Sequence, residues 1–498
     1  MALALASILA ESALRRPGRT ALICGTERIT YAQLWDEARR YGALFRRYGV
    51  GPGDRVAILL PNVPDFPRAY YGALAIGAVV VPVHALLTAD EIAYVLQDSG
   101  AKVLVAHPLL LAAGAAGAER AGVPCVESAV PADEPVPMLV QREVDDDAVI
   151  LYTSGTTGKP KGAVLSQSNM LWNANVSAFD LFDVSADDVF LGCLPLFHSF
   201  GQTCVMNAAF RVGASVVLQP RFDGPGALDL MLGHGVTVFA GVPTMYIGLL
   251  DAAKANAGRP PLRHAVSGGA SLPLAVIEAF EQMYGVEIYE GYGLSETSPV
   301  ASFNQREFGR RPGTVGCGVW GVDLGIARAE VDDRIELLPP GELGEIVIRG
   351  HCVFKGYLNK PEATREAIVD GWFRSGDLGT KDADGFITIV DRKKDMILRG
   401  GFNVYPREVE EVLMRHPAVK QVAVIGVPHD THGEEIVAVI VRTETAGEVT
   451  SEAVIAWSQE HLGRYKYPRH VHFVEAMPLG PSGKVLKREL KRTLVTPT

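Results

Sequence analysis

The stretch from Tyr152 to Val164, "YTSGTTGKPKGAV", holds three glycines, three threonines, one serine and two lysines. Glycines let successive backbone N–H groups converge on one point, hydroxyls add donors and lysines add charge, so the stretch suits an anion such as a phosphate. The phosphate loop of the P-loop NTPases does not fit. That motif spaces its glycines further apart and follows its lysine with Ser or Thr. Here only Thr156 and Thr157 separate Gly155 from Gly158, and Pro160 follows Lys159. A solvated Gly/Ser/Thr connection is the competing reading of this composition.

Two apolar runs must position the loop. Ala148-Val-Ile-Leu-Tyr152, preceded by Asp145-Asp-Asp147, reads as a buried strand, and Ala163-Val-Leu165 reads as a second strand rather than a helix. Short β-branched runs (Val56–Leu60, Val103–Val105, Ser215–Leu218, Val236–Phe239) alternate with helical patterns from about residue 20 to 390, which predicts an α/β domain. Beyond that the pattern changes. Strands at Val422–Val427 and Ile436–Val441, a helix at Ser451–Leu462 and a strand at His470–Val474 predict a small α+β unit. The polar run "DRKKDMI" lies between the two patterns. The predicted domains are 1–390 and 397–498, joined by a hinge linker at 391–396.

The chain has 498 residues, too many for one core, and 48% of them are hydrophobic. Lys and Arg total 47 against 57 Asp and Glu, and the net charge of −10 argues against nucleic acid or an anionic membrane as the main partner. The six cysteines form no CxxC pair, so neither a disulfide framework nor a zinc site is implied, and reduced thiols in a cytoplasm fit best. "MALALASILAESALRR" lacks a basic region before its apolar part, which speaks against a secretory signal and suits an amphipathic helix. Ala69 to Thr88 is uncharged, but Gly72, Gly77 and Pro82 interrupt it, and a helix followed by a buried strand is expected instead of a membrane span.

Further segments share the loop's chemistry: "LPLFHSFG" (Leu194–Gly201), "SGGASL" (Ser267–Leu272), "EGYGLSET" (Glu290–Thr297), "GWFRSGDLG" (Gly371–Gly379), "VDRKKDMILRGGFNVYP" (Val390–Pro406) and "PLGPSGKVLKREL" (Pro478–Leu490). With the opening loop, and in this order, they resemble the adenylate-forming superfamily of acyl-CoA synthetases, adenylation domains and luciferases, nearest to fatty acyl-CoA synthetases. The resemblance spans nearly the whole chain. It implies a large multi-layer N-terminal α/β domain, a small mobile α+β C-terminal domain, and two half-reactions. ATP and a carboxylate give acyl-AMP and pyrophosphate, and a thiol then displaces AMP.

The resemblance also implies roles for individual residues. Thr153, Ser154, Gly155, Thr156, Thr157 and Gly158 would cradle the β- and γ-phosphates, with Lys159 and Lys161 adding charge. Glu296 and Thr153 would hold Mg2+, and Ser295 would meet the α-phosphate. Tyr292 would lie on the adenine, with Gly268, Gly269, Ala270, Glu290 and Gly291 around it and the acyl carbonyl. Asp377 would accept from the ribose hydroxyls, supported by Arg392. Lys484 would reach the α-phosphate and carboxylate during adenylation only. Rotation about Lys394 would then bring Gly401, small enough to pass a pantetheine arm, and Asn403 to the site. His198 would stand where the acyl pocket meets the thiol tunnel, and Lys487, Arg488, Lys491 and Arg492 would form a solvated helix face.

Two other patterns lead elsewhere. "GLSET" lacks the second glycine of a serine-hydrolase elbow, because Thr297 stands in its place. "HDTHGEE" (His429–Glu435) has metal-like spacing but lies between two predicted strands, where a turn is expected. For the acid, "LPLFHSFGQTCVMNAAF" carries no carboxylate to bind an amino group, and Gly291 stands where malonate-using relatives place an arginine. The expected pocket walls, Phe200–Met206, Phe239–Tyr246 and Pro299–Ala301, are apolar with small residues. A medium- or long-chain fatty acid is expected, a cinnamate-type aryl acid being the alternative, with a channel for the chain at Gly291. "RIELLPPGELGEIVIRG" is compact, without the insertion of acyl-AMP ligases, which favours CoA over an acyl carrier protein as acceptor. The resemblance admits a monomer or a homodimer.

Overall fold

The computed structural model describes residues 4–153, 159–443, 449–480 and 484–495. Ser154, Gly155, Thr156, Thr157 and Gly158 of the predicted phosphate loop lie outside the described residues. Asp147–Thr153 and Lys161–Ser166 are antiparallel neighbours, with Thr153 opposite Lys161, so a strand does follow the loop. They belong to a seven-stranded sheet with Arg55–Leu59, Val79–Pro82 and Ala101–Ala106. A nine-stranded sheet and a five-stranded sheet that ends at Ile387–Arg392 complete the large domain.

The uncharged run is helix Asp65–Ala75 followed by strand Val79–Pro82, every strand residue buried. Its helix packs so tightly on helix Tyr31–Arg47 that a Cβ at Gly72 would sit 2.5 Å from the Ala38 carbonyl oxygen. Tyr31, Tyr41, Tyr70, Tyr71, Phe45 and Phe66 are fully buried between such layers. Each large apolar side chain so buried contributes about 2–3 kcal/mol. Among the described residues, no helix is long and apolar enough to cross a membrane.

The small domain has its own five-stranded sheet, built on the long hairpin Val419–His429 and Gly433–Arg442, with its own apolar core around Ile397, Val409, Val424, Ile436 and Ile440. Helix Ser451–His461 and strand His470–Phe473 fall where the sequence pattern puts them. Strand Ile387–Arg392 still pairs with the large domain's Trp372–Lys381, and Ile397–Arg399 already belongs to the small sheet. The run between the sheets is therefore 393–396, two residues shorter than the predicted linker.

Candidate active site

Four parallel strands stand side by side in the nine-stranded sheet: Val189–Gly192, Val238–Gly241, His264–Ser267 and Ile288–Gly293. "LPLFHSFG" and "SGGASL" begin at the carboxyl ends of two of them, and "EGYGLSET" closes the fourth. Parallel strands leave a crevice at that edge, where open α/β sheets bind ligands. Ser267 stands in register with Glu290, which sets the two loops side by side. The buried Glu290 Oε1 then accepts the Leu272 N–H at 3.2 Å and fixes the glycine loop. Burial pushes this carboxyl up to about 7, against the pull of the Leu272 N–H and Arg407.

Thr153, at the end of its strand, donates to Glu296 Oε1 at 3.4 Å, and Tyr357 donates to the same oxygen at 2.9 Å. Lys161 lies 4.9 Å over the Tyr357 ring, whereas Lys159 lies over Tyr94, 5.0 Å away. Ser295 opens the short helix Ser295–Thr297 that carries the buried Glu296. A threonine hydroxyl and a carboxylate are hard oxygen donors, a set that fits Mg2+, which keeps several waters of its own. Tyr357 was missed from sequence; its only signal is an aromatic residue in "FKGYLNK".

On the other wall, Tyr292 donates to Asp377 Oδ2, and Arg392 bridges to Asp377 Oδ1. Asp377 and Arg392 face each other across adjacent strands, a pairing set by sheet register. Lys394 follows, its ammonium lowered by burial and by the like charge of Arg392.

Lys484 enters from the small domain. A Cβ at Gly269, whose φ is +80°, would lie 3.2 Å from Lys484 Cε. The lysine shares a small cavity with Leu194, Pro195, His198, Phe200, Gly201 and Val242. Burial first, then the charge of Arg392, lowers its ammonium to about 8 against the opposing pull of Asp377 and Glu296. Burial, then Lys484 and His84, lowers His198 to about 3, which leaves a neutral imidazole. Lys420 with Asp251, at 2.6 Å, and Arg407 with the Ile389 carbonyl, at 2.7 Å, join the two domains in this arrangement.

Some predicted residues stand elsewhere. Gly401 and Asn403 lie on the hairpin Ile397–Arg399/Phe402–Val404, whose Gly400 N–H bonds to the His432 carbonyl of the small domain's own sheet. Ala270 is exposed beside the glycine pair. Gly291 faces inward: a Cβ there would meet Phe303 Cδ2 at 2.7 Å, so the expected channel at this position is filled by a core ring. Gly268 instead faces Phe200, 3.3 Å from a built Cβ. Phe239 and Tyr246 pack with Phe280 in a fully buried aromatic cluster. Lys487 pairs with Glu410 at 2.7 Å and is not part of a solvated face.

A two-domain α/β fold, with a glycine-lined crevice and a lysine delivered from the smaller domain, defines an adenylate-forming enzyme. The AMP-binding enzyme family model matches residues 9–358, and its C-terminal domain model matches residues 408–484. The chain belongs to that family and is an AMP-forming acyl-CoA synthetase. It is 35% identical to the long-chain-fatty-acid–CoA ligase of Bacillus subtilis, over 98% of this chain and 94% of the relative. It is 38% identical to a feruloyl-CoA synthase of an Amycolatopsis species, over 96% of each. ATP-bound MatB of Rhodopseudomonas palustris superposes with a TM-score of 0.88 at 31% identity, over 98% of both chains.

Proposed function

We propose that this ligase activates a hydrophobic monocarboxylic acid, of the medium- or long-chain fatty class, and passes it to CoA. The supporting observation is the wall of the cavity beneath Lys484, where Leu194, Pro195, Phe200 and Val242 offer neither a carboxylate nor an arginine to a polar acid. In this reading Lys484 lies on the line between acid and α-phosphate, where its charge offsets the negative charge that builds up as the bond forms. Asp377 accepts the ribose hydroxyls and Tyr292 covers the adenine. Thr153 and Glu296 hold Mg2+, which when bound neutralises the departing pyrophosphate. The neutral His198 can accept or donate one hydrogen bond without adding charge. Rotation at 393–396 then withdraws Lys484 and presents Gly401 and Asn403 to the thiol.

An aryl acid with a polar substituent is the second reading. The buried Ser267 hydroxyl, next to Gly268, has no hydrogen-bond partner among the described residues, and such a substituent would supply one. The test is product analysis with ATP, Mg2+, CoA or phosphopantetheinyl carrier protein, and a panel of fatty and hydroxycinnamic acids. AMP, pyrophosphate and a fatty acyl-CoA are expected. Preference for a hydroxycinnamate would move the assignment to the second reading, and ADP release would refute both.

A further inference from the structure

Within His429–Glu435 the chain turns at 430–432, as the composition predicts, and with the flanking strand ends this turn gathers three ligand atoms. Strand Val419–His429 ends and strand Gly433–Arg442 begins there, with His429 paired to Gly433. That tight reversal brings His429 Nδ1 and His432 Nδ1 to 3.2 Å. A carboxylate oxygen of Glu435 completes a set whose atoms all lie within 4.8 Å of one another. We propose that His429, His432 and Glu435 form a binding site for a divalent transition-metal ion, with zinc as the natural occupant.

Geometry and ligand chemistry support the assignment. Two nitrogens each about 2.05 Å from a zinc ion and separated by this 3.2 Å subtend roughly 100°, near the tetrahedral angle. The Thr431 and His432 backbone N–H groups point at His429 Nδ1, at 3.3 and 3.4 Å. These contacts hold the Nδ1 lone pair facing into the turn, and an ion binds there by displacing the two N–H groups from it. Two imidazoles and one carboxylate suit zinc, cobalt or nickel, and suit magnesium or calcium poorly. Glu435 now forms a two-point ion pair with Arg399, at 2.6 and 3.0 Å. One of its oxygens must turn from Arg399 to the metal, while the other keeps the pair.

An ion here would brace the neighbouring turn. The Gly400 N–H donates to the His432 carbonyl at 2.8 Å, and Gly401 and the strand bearing Asn403 follow directly. A metal on the His432 ring therefore restrains the peptide that supports this hairpin.

The test uses the full chain, free of any purification tag. Co2+ is titrated by its visible absorption, Zn2+ by calorimetry, and hydrogen exchange is followed over 397–404. Wild type is expected to take one ion per chain with a four-coordinate cobalt spectrum and to slow exchange at Gly400. His429→Ala and His432→Ala should each weaken binding by at least the roughly tenfold loss that smaller, outer-sphere changes cause. His432→Asn serves as a second variant should an alanine change disturb the fold, judged by circular dichroism. Equal affinity in wild type and the histidine variants, or bound metal that leaves Gly400 exchange unchanged, would overturn the proposal.

Discussion

The Tyr292 hydroxyl donates to Asp377 Oδ2 at 2.6 Å while Arg392 Nε holds Oδ1 at 3.1 Å, so one buried carboxylate ties the crevice floor to the last strand before the linker. Burial, then the charge of Asp377, holds the Tyr292 phenol well above its ordinary value, and it stays a neutral donor. The charge of Asp377 in turn keeps Arg392 protonated.

Removing that carboxylate tests its proposed place under the ribose. Hydrogen bonds to a charged group contribute about 1.5–3 kcal/mol, so Asp377→Ala should weaken ATP binding by roughly tenfold to a hundredfold in calorimetry. Tyr292→Phe keeps the Asp377–Arg392 pair and should cost less. ATP affinity unchanged in Asp377→Ala would place the ribose elsewhere.

Glu290 gives a pH signature. Its carboxyl is raised from 4.5 to about 7, so the folded state favours the protonated form. The stability this provides is present below pH 4.5 and is lost as pH rises through 7, on the order of 3 kcal/mol across the window. Glu290→Gln mimics the protonated group and removes this loss, so the Tm of the variant relative to wild type should rise as pH goes from 4.5 to 7. His198 pulls the other way: lowered from 6.5 to about 3, it stays neutral in the folded chain while the unfolded chain takes up its proton, so its share of the stability is present above 6.5 and is lost as pH falls through 3. A Tm profile identical to wild type would refute the assignment to Glu290.

Strand positions were legible in the sequence because local patterns set them. Ser215–Leu218 is a strand as predicted, and the antiparallel partner of Asp147–Thr153 follows its loop directly. Tertiary choices were not legible. Which way Gly291 faces depends on Phe303 arriving from a neighbouring antiparallel strand, and a one-residue change of register would have turned it to the other face. Tyr357 reaches Glu296 from 61 positions away, and Lys487 finds Glu410 across the small domain, contacts that no local spacing encodes.

In the proposed reading Gly268, facing Phe200, borders the acyl chamber, whereas Gly291, facing Phe303, belongs to the core. Gly268→Val should crowd Phe200 and shift preference toward shorter acids, read as a change in kcat/KM across chain lengths with ATP affinity kept. Gly291→Ala should instead lower Tm, because its methyl meets the Phe303 ring at 2.7 Å, and overpacking of this kind costs about 1–3 kcal/mol. Should Gly268→Val leave the chain-length profile untouched, the chamber lies away from Phe200.

The proposed role of Lys484, in adenylation alone, divides the two half-reactions. It lies against Gly269 with the domains joined through Lys420 and Asp251, the arrangement in which a lysine charge can assist adenylation. Lys484→Ala should slow acyl-AMP formation about a hundredfold or more, the loss expected for roughly 3 kcal/mol of transition-state stabilisation. Given synthetic acyl-AMP and CoA, it should still form thioester. Lys394→Pro, which stiffens the run between the sheets, should do the reverse. The sign of the pH effect follows from burial, which lowers the ammonium from 10.5 to about 8. The docked state gains stability that is fully present above 10.5 and is lost as pH falls through 8. The charge that the chemistry needs runs the other way and is depleted above pH 8, so adenylation should decline there while domain docking strengthens. Bound phosphates move the decline to higher pH, and Lys484→Arg, charged throughout, should abolish it. Equal slowing of both half-reactions in Lys484→Ala would show that the lysine never leaves the site.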